Sequence, residues 1–132
     1  MTISKIICIE LILEKFPEFQ PYWETYKQWW GSQESGFYND ISEFSHYVID
    51  LLIQKNSHPE KIKEIFNFVE YLIIRGDEDI KNAIHTCFLE NILNQTPEKI
   101  DPNQFVPYLG HKSREYCKAW DQFTGVKTEG LW

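Results

Sequence analysis

Apolar residues recur at helical spacing along most of the chain, and the longest such run lies between residues 62 and 93. The stretch Ile62–Ile73 repeats apolar residues at i, i+3, i+4 and i+7, which is the spacing of an amphipathic helix. Gly76 is predicted to end this helix in a turn with positive φ, which glycine adopts at little cost. Asp77 is the predicted N-cap of the next helix, and Ile80–Leu93 is apolar on most sides, as central helices are. The two helices predict a tight antiparallel hairpin at the centre of the fold.

Each helix of this predicted hairpin has a distinct set of buried positions. On the first helix these are Ile62, Ile65, Phe66, Val69, Leu72 and Ile73, while Lys63, Glu64, Asn67 and Glu70 are predicted to face water. On the second they are Ile80, Ala83, Ile84, Cys87 and Phe88, with Leu89, Ile92 and Leu93 on the opposite face. Asn82, Glu90 and Asn91 are polar on this apolar helix and need hydrogen-bond partners. We expect bonds to neighbouring loops or to a cation, and specifically a Glu90–Arg114 pair.

Three further helices are predicted before the hairpin. The isoleucines of Ile3–Phe16 favour a strand, but their spacing fits a helix and no second strand follows, so we predict a helix ended by Pro17. A strongly aromatic second helix begins near Pro21 and ends at Gly31. A third follows a polar loop. Asp40 with Glu43 forms the capping-box pattern of that third helix, as Ser57 with Glu60 does for the helix after it. The predicted buried positions of the third helix are Ile41, Phe44, Val48, Leu51 and Leu52.

The C-terminal part begins with two successive helix-start signals, Thr96-Pro97 and Asp101-Pro102. They predict a turn and a short helix that ends near Leu109. A last helix is predicted over Lys112–Phe123, with Tyr116, Ala119, Trp120 and Phe123 on one side and Gly125 after its end. The final Trp132 is expected to pack on the body of the protein or on a partner.

These elements predict an all-α protein. With 132 residues, the chain is expected to form a single compact domain, residues 1–132, of six to seven helices around the central hairpin. The hairpin resembles one unit of a HEAT-type helical repeat, and no second copy with matching residues follows it. No part of this pattern identifies a reaction.

Charge and aromatic content favour a protein partner. The net charge is −7, which argues against direct nucleic-acid binding and suits a cationic partner. Aromatic residues make up 16% of the chain, more than a core of this size needs, so some are expected at the surface. On the aromatic helix, Trp23, Tyr26 and Trp30 share one face. Core packing is the favoured role of Trp23 and Trp30, and protein contact is the second interpretation for Trp29.

Cysteine spacing and the N-terminal sequence predict a cytoplasmic location. Cys8, Cys87 and Cys117 are far apart, and two lie on apolar helix faces, so we expect buried free thiols in a reducing compartment. The apolar run in Met1–Phe16 lacks a basic n-region and a cleavage site, and it is too short to span a bilayer. No membrane contact is expected.

Candidate catalytic and metal-binding groups have simpler structural interpretations. Glu43, His46 and Asp50 share one side of the third helix, but no further ligands accompany them, so a solvated helix face is favoured. His85 is expected to be packed or to cap a helix, and Cys87 to fill the core. The sequence thus predicts no catalytic residues, no metal site and no cofactor.

Two segments carry a family resemblance. They are FVEYLIIRGDEDIKNAIHTCFLENILN, residues Phe68–Asn94, and YLGHKSREYCKAWDQFTG, residues Tyr108–Gly125, followed by the ending TEGLW. Together they resemble a family of small, all-helical bacterial proteins similar to immunity proteins found beside polymorphic toxins and contact-dependent growth inhibition systems. The resemblance implies a helical fold and a binding inhibitor of a cognate toxin. Its motifs are packing motifs, so it implies no catalytic residues.

Three functional hypotheses remain open at this stage. The first is an immunity protein that covers the active cleft of a cationic nuclease toxin, acting as a monomer or weak homodimer. The second is an adaptor or scaffold subunit of an unrelated complex. The third, ranked last, is a hydrolase that uses His46 or His85. For the first, we expect recognition on the aromatic helix and the loop after it, because loops on a rigid scaffold commonly carry recognition. The predicted contact residues are Trp29, Glu34, Tyr38, Asp40 and Glu43.

Overall fold

The computed structural model describes residues 1–54 and 58–132 and contains seven α-helices. The helices are α1 (Lys5–Lys15), α2 (Gln20–Trp30), α3 (Phe37–Ile53), α4 (Pro59–Arg75), α5 (Glu78–Ala83), α6 (Glu90–Asn94) and α7 (His111–Thr124). A π-helical segment, Ile84–Leu89, joins α5 to α6, and we call the continuous stretch 78–94 the central helix. Short 3₁₀ turns occupy Pro17–Phe19, Pro102–Gln104 and Val106–Tyr108. The described residues form no strand beyond one isolated bridge, which confirms the all-α prediction.

The helices share one core, in which phenylalanine rings form a continuous row. Phe16 stacks on Phe44 at 6.0 Å, Phe44 on Phe88 at 5.4 Å, and Phe66 lies 5.9 Å from Phe88 and 5.7 Å from Phe105. The row thus joins the end of α1 to the segment before α7 by way of α3, the central helix and α4. All six residues predicted to be buried on α4 are buried. On the central helix the predicted apolar positions are also buried, except Cys87, which is half-buried.

Gly76 follows the end of α4 and is buried, but its backbone conformation differs from the predicted one. Its φ is −74°, so the expected positive φ is wrong. The residue instead lies beside the N-terminal segment, where the Ile3 amide donates to the Arg75 carbonyl at 2.7 Å. A Cβ at position 76 would come within 2.4 Å of the Ile80 side chain and 2.5 Å of the Leu72 carbonyl oxygen. Glycine is required here by close approach, not by backbone conformation.

One of the predicted helix caps is confirmed and another is wrong. The Asp77 carboxylate accepts from the Ile80 amide at 2.9 Å and so caps α5, as predicted. The capping box of Asp40 with Glu43 is wrong, because α3 already begins at Phe37 and Asp40 lies in its first turn. The other predicted capping box and the turn before α4 involve Ser57, which lies outside the described residues.

Two polar residues have partners that the local sequence does not indicate. Glu70, predicted to face water, is half-buried, and its carboxylate accepts from the Ser113 amide at 3.0 Å and the Ser113 hydroxyl at 2.8 Å. It therefore caps the N-terminus of α7 from α4. The predicted Glu90–Arg114 pair is wrong. Glu90 accepts from the Tyr116 hydroxyl, and Arg114 donates to backbone carbonyls, at 2.8 Å for Val106.

The C-terminal segment folds back on α7. Gly125 ends this helix with a φ of +78°, as a left-handed cap. The buried residues of α7 are Ser113, Cys117 and Asp121, whereas Phe123, on the predicted aromatic side, is 81% exposed. The buried Asp121 carboxylate accepts from the Thr128 amide at 2.7 Å and from the Trp132 indole at 3.2 Å. Of the two predicted alternatives, contact with the body or with a partner, Trp132 thus makes the first through its indole, and its side chain remains 53% exposed.

Two of the three thiols are buried, as predicted. Cys8 and Cys117 are fully buried and unpaired, and burial raises the pKa of each thiol to about 12. Both sulfurs are therefore protonated and unreactive. Among the helices of the described residues, none is long and apolar enough to cross a membrane.

Candidate functional site

A groove of about 690 Å³ runs between α2 and α3. It exists because α2 is aromatic on several sides and buries none of its eleven residues completely. The helix is fixed to α3 through ring contacts such as Tyr22 against Tyr47, at 5.3 Å between centroids, and the remaining aromatic surface stays accessible. The groove is lined by Pro21, Tyr22, Thr25, Tyr26, Trp29, Trp30, Asn39, Ser42, Glu43 and His46. We call this surface the aromatic groove.

Two tyrosine hydroxyls fix the wall of the aromatic groove that α2 provides. The Tyr22 hydroxyl donates to the Asp50 carboxylate at 2.7 Å, and the Tyr26 hydroxyl donates to the Asp40 carboxylate at 2.9 Å. Burial, with a smaller effect from these carboxylates, raises the pKa of each phenol to about 12. Both phenols therefore remain protonated donors at neutral pH. The two rings are held in place before any partner arrives, which lowers the entropy cost of binding.

Two adjacent tryptophans form the outer end of the aromatic groove. Trp29 and Trp30 meet nearly at right angles, at 5.4 Å between ring centroids, and Tyr26 lies edge-on to Trp30. Trp29 is 80% exposed although it is the largest type of apolar side chain. An exposed tryptophan beside a concave aromatic wall is typical of a contact surface for another molecule.

The charges at the aromatic groove are acidic. Glu43 is partly buried in its wall, and one of its carboxylate oxygens lies 3.2 Å from Nδ1 of His46. Asp40 and Asp50 lie behind the tyrosine hydroxyls. The lysine of α2, Lys27, does not line the groove: its ammonium lies over the Trp23 ring and donates to the Ser35 hydroxyl at 3.0 Å, and that hydroxyl donates to Asp40. Of the described residues, the ten that line the groove include neither lysine nor arginine.

Of the five predicted contact residues, two line the aromatic groove and three do not. Trp29 and Glu43 line the aromatic groove. Glu34 is exposed in the loop after α2, and Tyr38 is 40% exposed on α3, but neither lines the groove. Asp40 is half-buried and accepts bonds from both Tyr26 and Ser35, so it supports the wall instead of offering a free carboxylate.

The residues that sequence reasoning missed are Tyr22, Tyr26 and Asp50. Tyr22, Tyr26 and Trp29 follow the spacing i, i+4, i+7, and this stripe is detectable in the sequence. Of the two tryptophans predicted to pack, Trp23 packs against the core, whereas Trp30 is half-buried and lines the groove. The bond from Tyr22 to Asp50 spans 28 positions along the chain, so no local pattern predicts it.

His46 and His85 both contact neighbouring side chains. His46 is exposed beside Glu43, while Asp50 is engaged by Tyr22, so the three side chains do not converge on one point. His85 stacks on the Tyr116 ring at 4.1 Å between centroids, which confirms a packed histidine. No group of three or more His, Cys, Asp or Glu side chains that could hold a metal ion occurs within residues 1–54 and 58–132.

Comparison with known proteins identifies a family but no individual relative. No curated protein matches the chain, and no solved structure matches it. One family model matches residues 9–125, a span that contains α2, α3 and the whole aromatic groove. On this match, the chain belongs to the family described as "Domain of unknown function (DUF7674)".

Proposed function

We propose that this protein is a non-enzymatic binding protein whose aromatic groove takes a basic segment of a partner protein. The observation that carries the proposal is the groove itself: an exposed aromatic surface with one acidic side chain, Glu43, and no lysine or arginine among the described residues that line it. A partner with arginine or lysine side chains matches this surface in charge.

The chemistry of the aromatic groove supports a basic partner. A guanidinium or ammonium group binds to the face of a tryptophan or tyrosine ring by cation–π attraction, and Glu43 supplies a carboxylate at the same wall. Tryptophan and tyrosine are the residues that most often dominate the energy of protein interfaces. The net charge of −7 adds long-range attraction, which raises the association rate with a cationic protein.

The specific form of the proposal is an immunity protein in the cytoplasm. Nuclease domains bind phosphates with cationic clefts, and an acidic protein with aromatic anchors is suited to cover such a cleft. The resemblance of Phe68–Asn94 and Tyr108–Gly125 to immunity proteins of polymorphic toxin systems supports this form. Trp29 is then the residue inserted into the toxin, with Glu43 facing its basic side chains.

The alternative is an adaptor subunit of an unrelated complex that uses the same groove. It shares the basic partner and the aromatic anchors, so the groove alone does not separate the two. They differ in the partner: an immunity protein is encoded beside a toxin and rescues cells from it, whereas an adaptor has no toxin neighbour and confers no protection.

Co-expression tests the immunity form directly. The toxin domain encoded next to this gene is induced in cells that carry the wild-type protein, the Trp29→Ala variant or the Phe123→Ala variant. Phe123 is the matched control, because it is 81% exposed against 80% for Trp29 and lies on α7, away from the groove. We expect the wild type and Phe123→Ala to restore growth and Trp29→Ala to fail.

Three results would contradict parts of this proposal. If no toxin gene lies beside this one, or if the wild type does not protect, the immunity form is wrong and the adaptor form replaces it. If Trp29→Ala protects as well as the wild type, the aromatic groove is not the contact surface. Soluble expression of Trp29→Ala with an unchanged melting temperature excludes unfolding as the cause of its failure.

A further inference from the structure

A second pocket lies between α4, the central helix and α7. It measures about 500 Å³, which is within the usual size range of small-molecule sites. Ile73 and Ile74 of α4 form an apolar wall, and His85 and Tyr116 contribute the aromatic rings. None of these residues lines the aromatic groove, so this pocket goes beyond the proposed function.

The two rings of this second pocket stack face to face, so each covers one face of the other and a ligand can stack only on an outer face of the pair. His85 and Tyr116 are parallel to within 5° with centroids 4.1 Å apart, and the Tyr116 hydroxyl donates to Glu90. Burial lowers the pKa of His85, with nearby Lys81 acting in the same direction and Glu90 opposing it. His85 is therefore a neutral ring at physiological pH, which suits stacking against a planar ligand.

The charged groups at the second pocket are mainly basic, in contrast to the protein as a whole. Lys81 and Lys112 both line it, with Glu115 as the acidic lining residue. The Lys81 ammonium lies 3.8 Å from Glu78 and the Lys112 ammonium 3.9 Å from Glu115, distances too long for hydrogen bonds. The carboxylate of Glu115 lies closer to His111, at 2.7 Å. Both ammonium groups thus keep donors for a ligand.

We propose that this second pocket binds a small planar anion, whose ring stacks on an outer face of the His85–Tyr116 pair and whose negative group is held between Lys81 and Lys112. The apolar wall at Ile73 and Ile74 excludes water from the ring of the ligand. The anionic group can be a carboxylate on an aromatic ring or the phosphate of a nucleotide, since either accepts hydrogen bonds from two ammonium groups.

The test is a titration of the ¹⁵N-labelled protein, followed by amide chemical shifts. The probes are 2-naphthoate with its neutral counterpart 2-naphthamide, and adenosine 5′-monophosphate with neutral adenosine. We expect at least one anion to give saturable shifts at His85 and Tyr116. Its neutral counterpart should bind at least about tenfold more weakly, because hydrogen bonds to charged groups are lost. Which anion saturates first distinguishes the carboxylate from the phosphate source.

Two double variants locate the site. Lys81→Gln with Lys112→Gln should weaken binding of the anion by about tenfold or more, for the same reason. Lys63→Gln with Lys99→Gln removes the same charge from exposed positions and should leave the affinity unchanged. The proposal is overturned if neither anion saturates the pocket at millimolar concentration, if the neutral probes bind equally well, or if both double variants bind alike. An unchanged dispersion of amide signals shows that each variant is folded.

Discussion

At the scale of single residues, the atoms around Gly76 leave no room for a side chain at this position. A methyl group at this position would overlap Ile80 and the Leu72 carbonyl oxygen, and the overlap forces backbone shifts. We predict that Gly76→Ala lowers the free energy of unfolding by about 1–3 kcal/mol, as overpacking does. Urea denaturation followed by circular dichroism measures this change.

Gly125 supplies the control, because its positive φ, and not the space around it, restricts which residue can replace it. Its φ is +78°, and a Cβ at this position would meet no atom within 4 Å beyond the adjacent residues. Asparagine tolerates the left-handed conformation, so Gly125→Asn should be nearly neutral, whereas Gly76→Asn should destabilise at least as much as Gly76→Ala. Equal stability of the wild type and Gly76→Ala would contradict the steric account.

Glu70 gives a second prediction at the residue scale. Its carboxylate accepts from the Lys112 amide at 2.8 Å as well as from Ser113, so it satisfies otherwise unpaired amides at the N-terminus of α7. We predict that Glu70→Ala lowers the free energy of unfolding by about 1–3 kcal/mol. Asn67→Ala, at an exposed position of α4, should change it by less than about 0.5 kcal/mol. Equal effects of the two substitutions would show that the cap contributes nothing.

At the scale of elements, Asp77 joins the beginnings of two helices. Its carboxylate accepts from the Ile80 amide in α5 and from the Lys5 amide in α1, each at 2.9 Å. These two bonds, the Ile80 one first, lower the pKa of Asp77 below its ordinary value of 3.8. Because the folded state favours the ionised form, the stabilisation is complete above pH 3.8 and disappears as the pH falls through the lower folded-state pKa.

The substitution Asp77→Ala tests this link. We predict a loss of about 1–2 kcal/mol in the free energy of unfolding at pH 7, as for other N-caps. The difference from the wild type should shrink as the pH falls below 3.8. Asp77→Asn keeps an acceptor but does not titrate, so its stability relative to Asp77→Ala should not depend on pH in this range. A difference between wild type and Asp77→Ala that is constant down to strongly acidic pH would contradict the account.

Some features of these elements are predictable from the sequence, and others are not. The buried face of α4 and the cap at Asp77 follow from spacing and local chemistry, and both are predictable. The cap that Glu70 provides to α7 is not, because it joins positions 43 apart in the chain. The aromatic groove is likewise not predictable from local sequence. Exposed rings on α2 are expected from its composition, but the choice between its aromatic faces depends on how α2 packs on α3.

At the scale of the whole molecule, the charge of −7 should govern the rate of association with a basic partner. Glu34 is exposed in the loop after α2, so Glu34→Lys should reduce the association rate with the proposed toxin partner without changing the fold. The rate for the wild type should also fall as salt rises. Glu98→Lys, an exposed charge reversal in the turn after α6, should have a smaller effect on the rate. Stopped-flow fluorescence measures these rates, and salt-independent association would contradict electrostatic steering.

Asp40 is unsuitable for the same charge reversal. Its carboxylate accepts bonds from Tyr26 and Ser35, so Asp40→Lys would disturb the wall of the aromatic groove as well as the charge. A loss of binding in that variant would not separate electrostatic steering from local distortion.

The central claim is that the aromatic groove is the surface that binds a partner protein. The most direct measurement is the dissociation constant of the proposed toxin partner, obtained by titration calorimetry with the wild type, Trp29→Ala and Phe123→Ala. An interface anchor contributes at least about 2 kcal/mol, so Trp29→Ala should bind about 30-fold more weakly or worse. Phe123→Ala, which removes an equally exposed ring from α7, should bind within about twofold of the wild type. Wild-type affinity in Trp29→Ala, or a greater loss in Phe123→Ala, would show that the partner binds elsewhere.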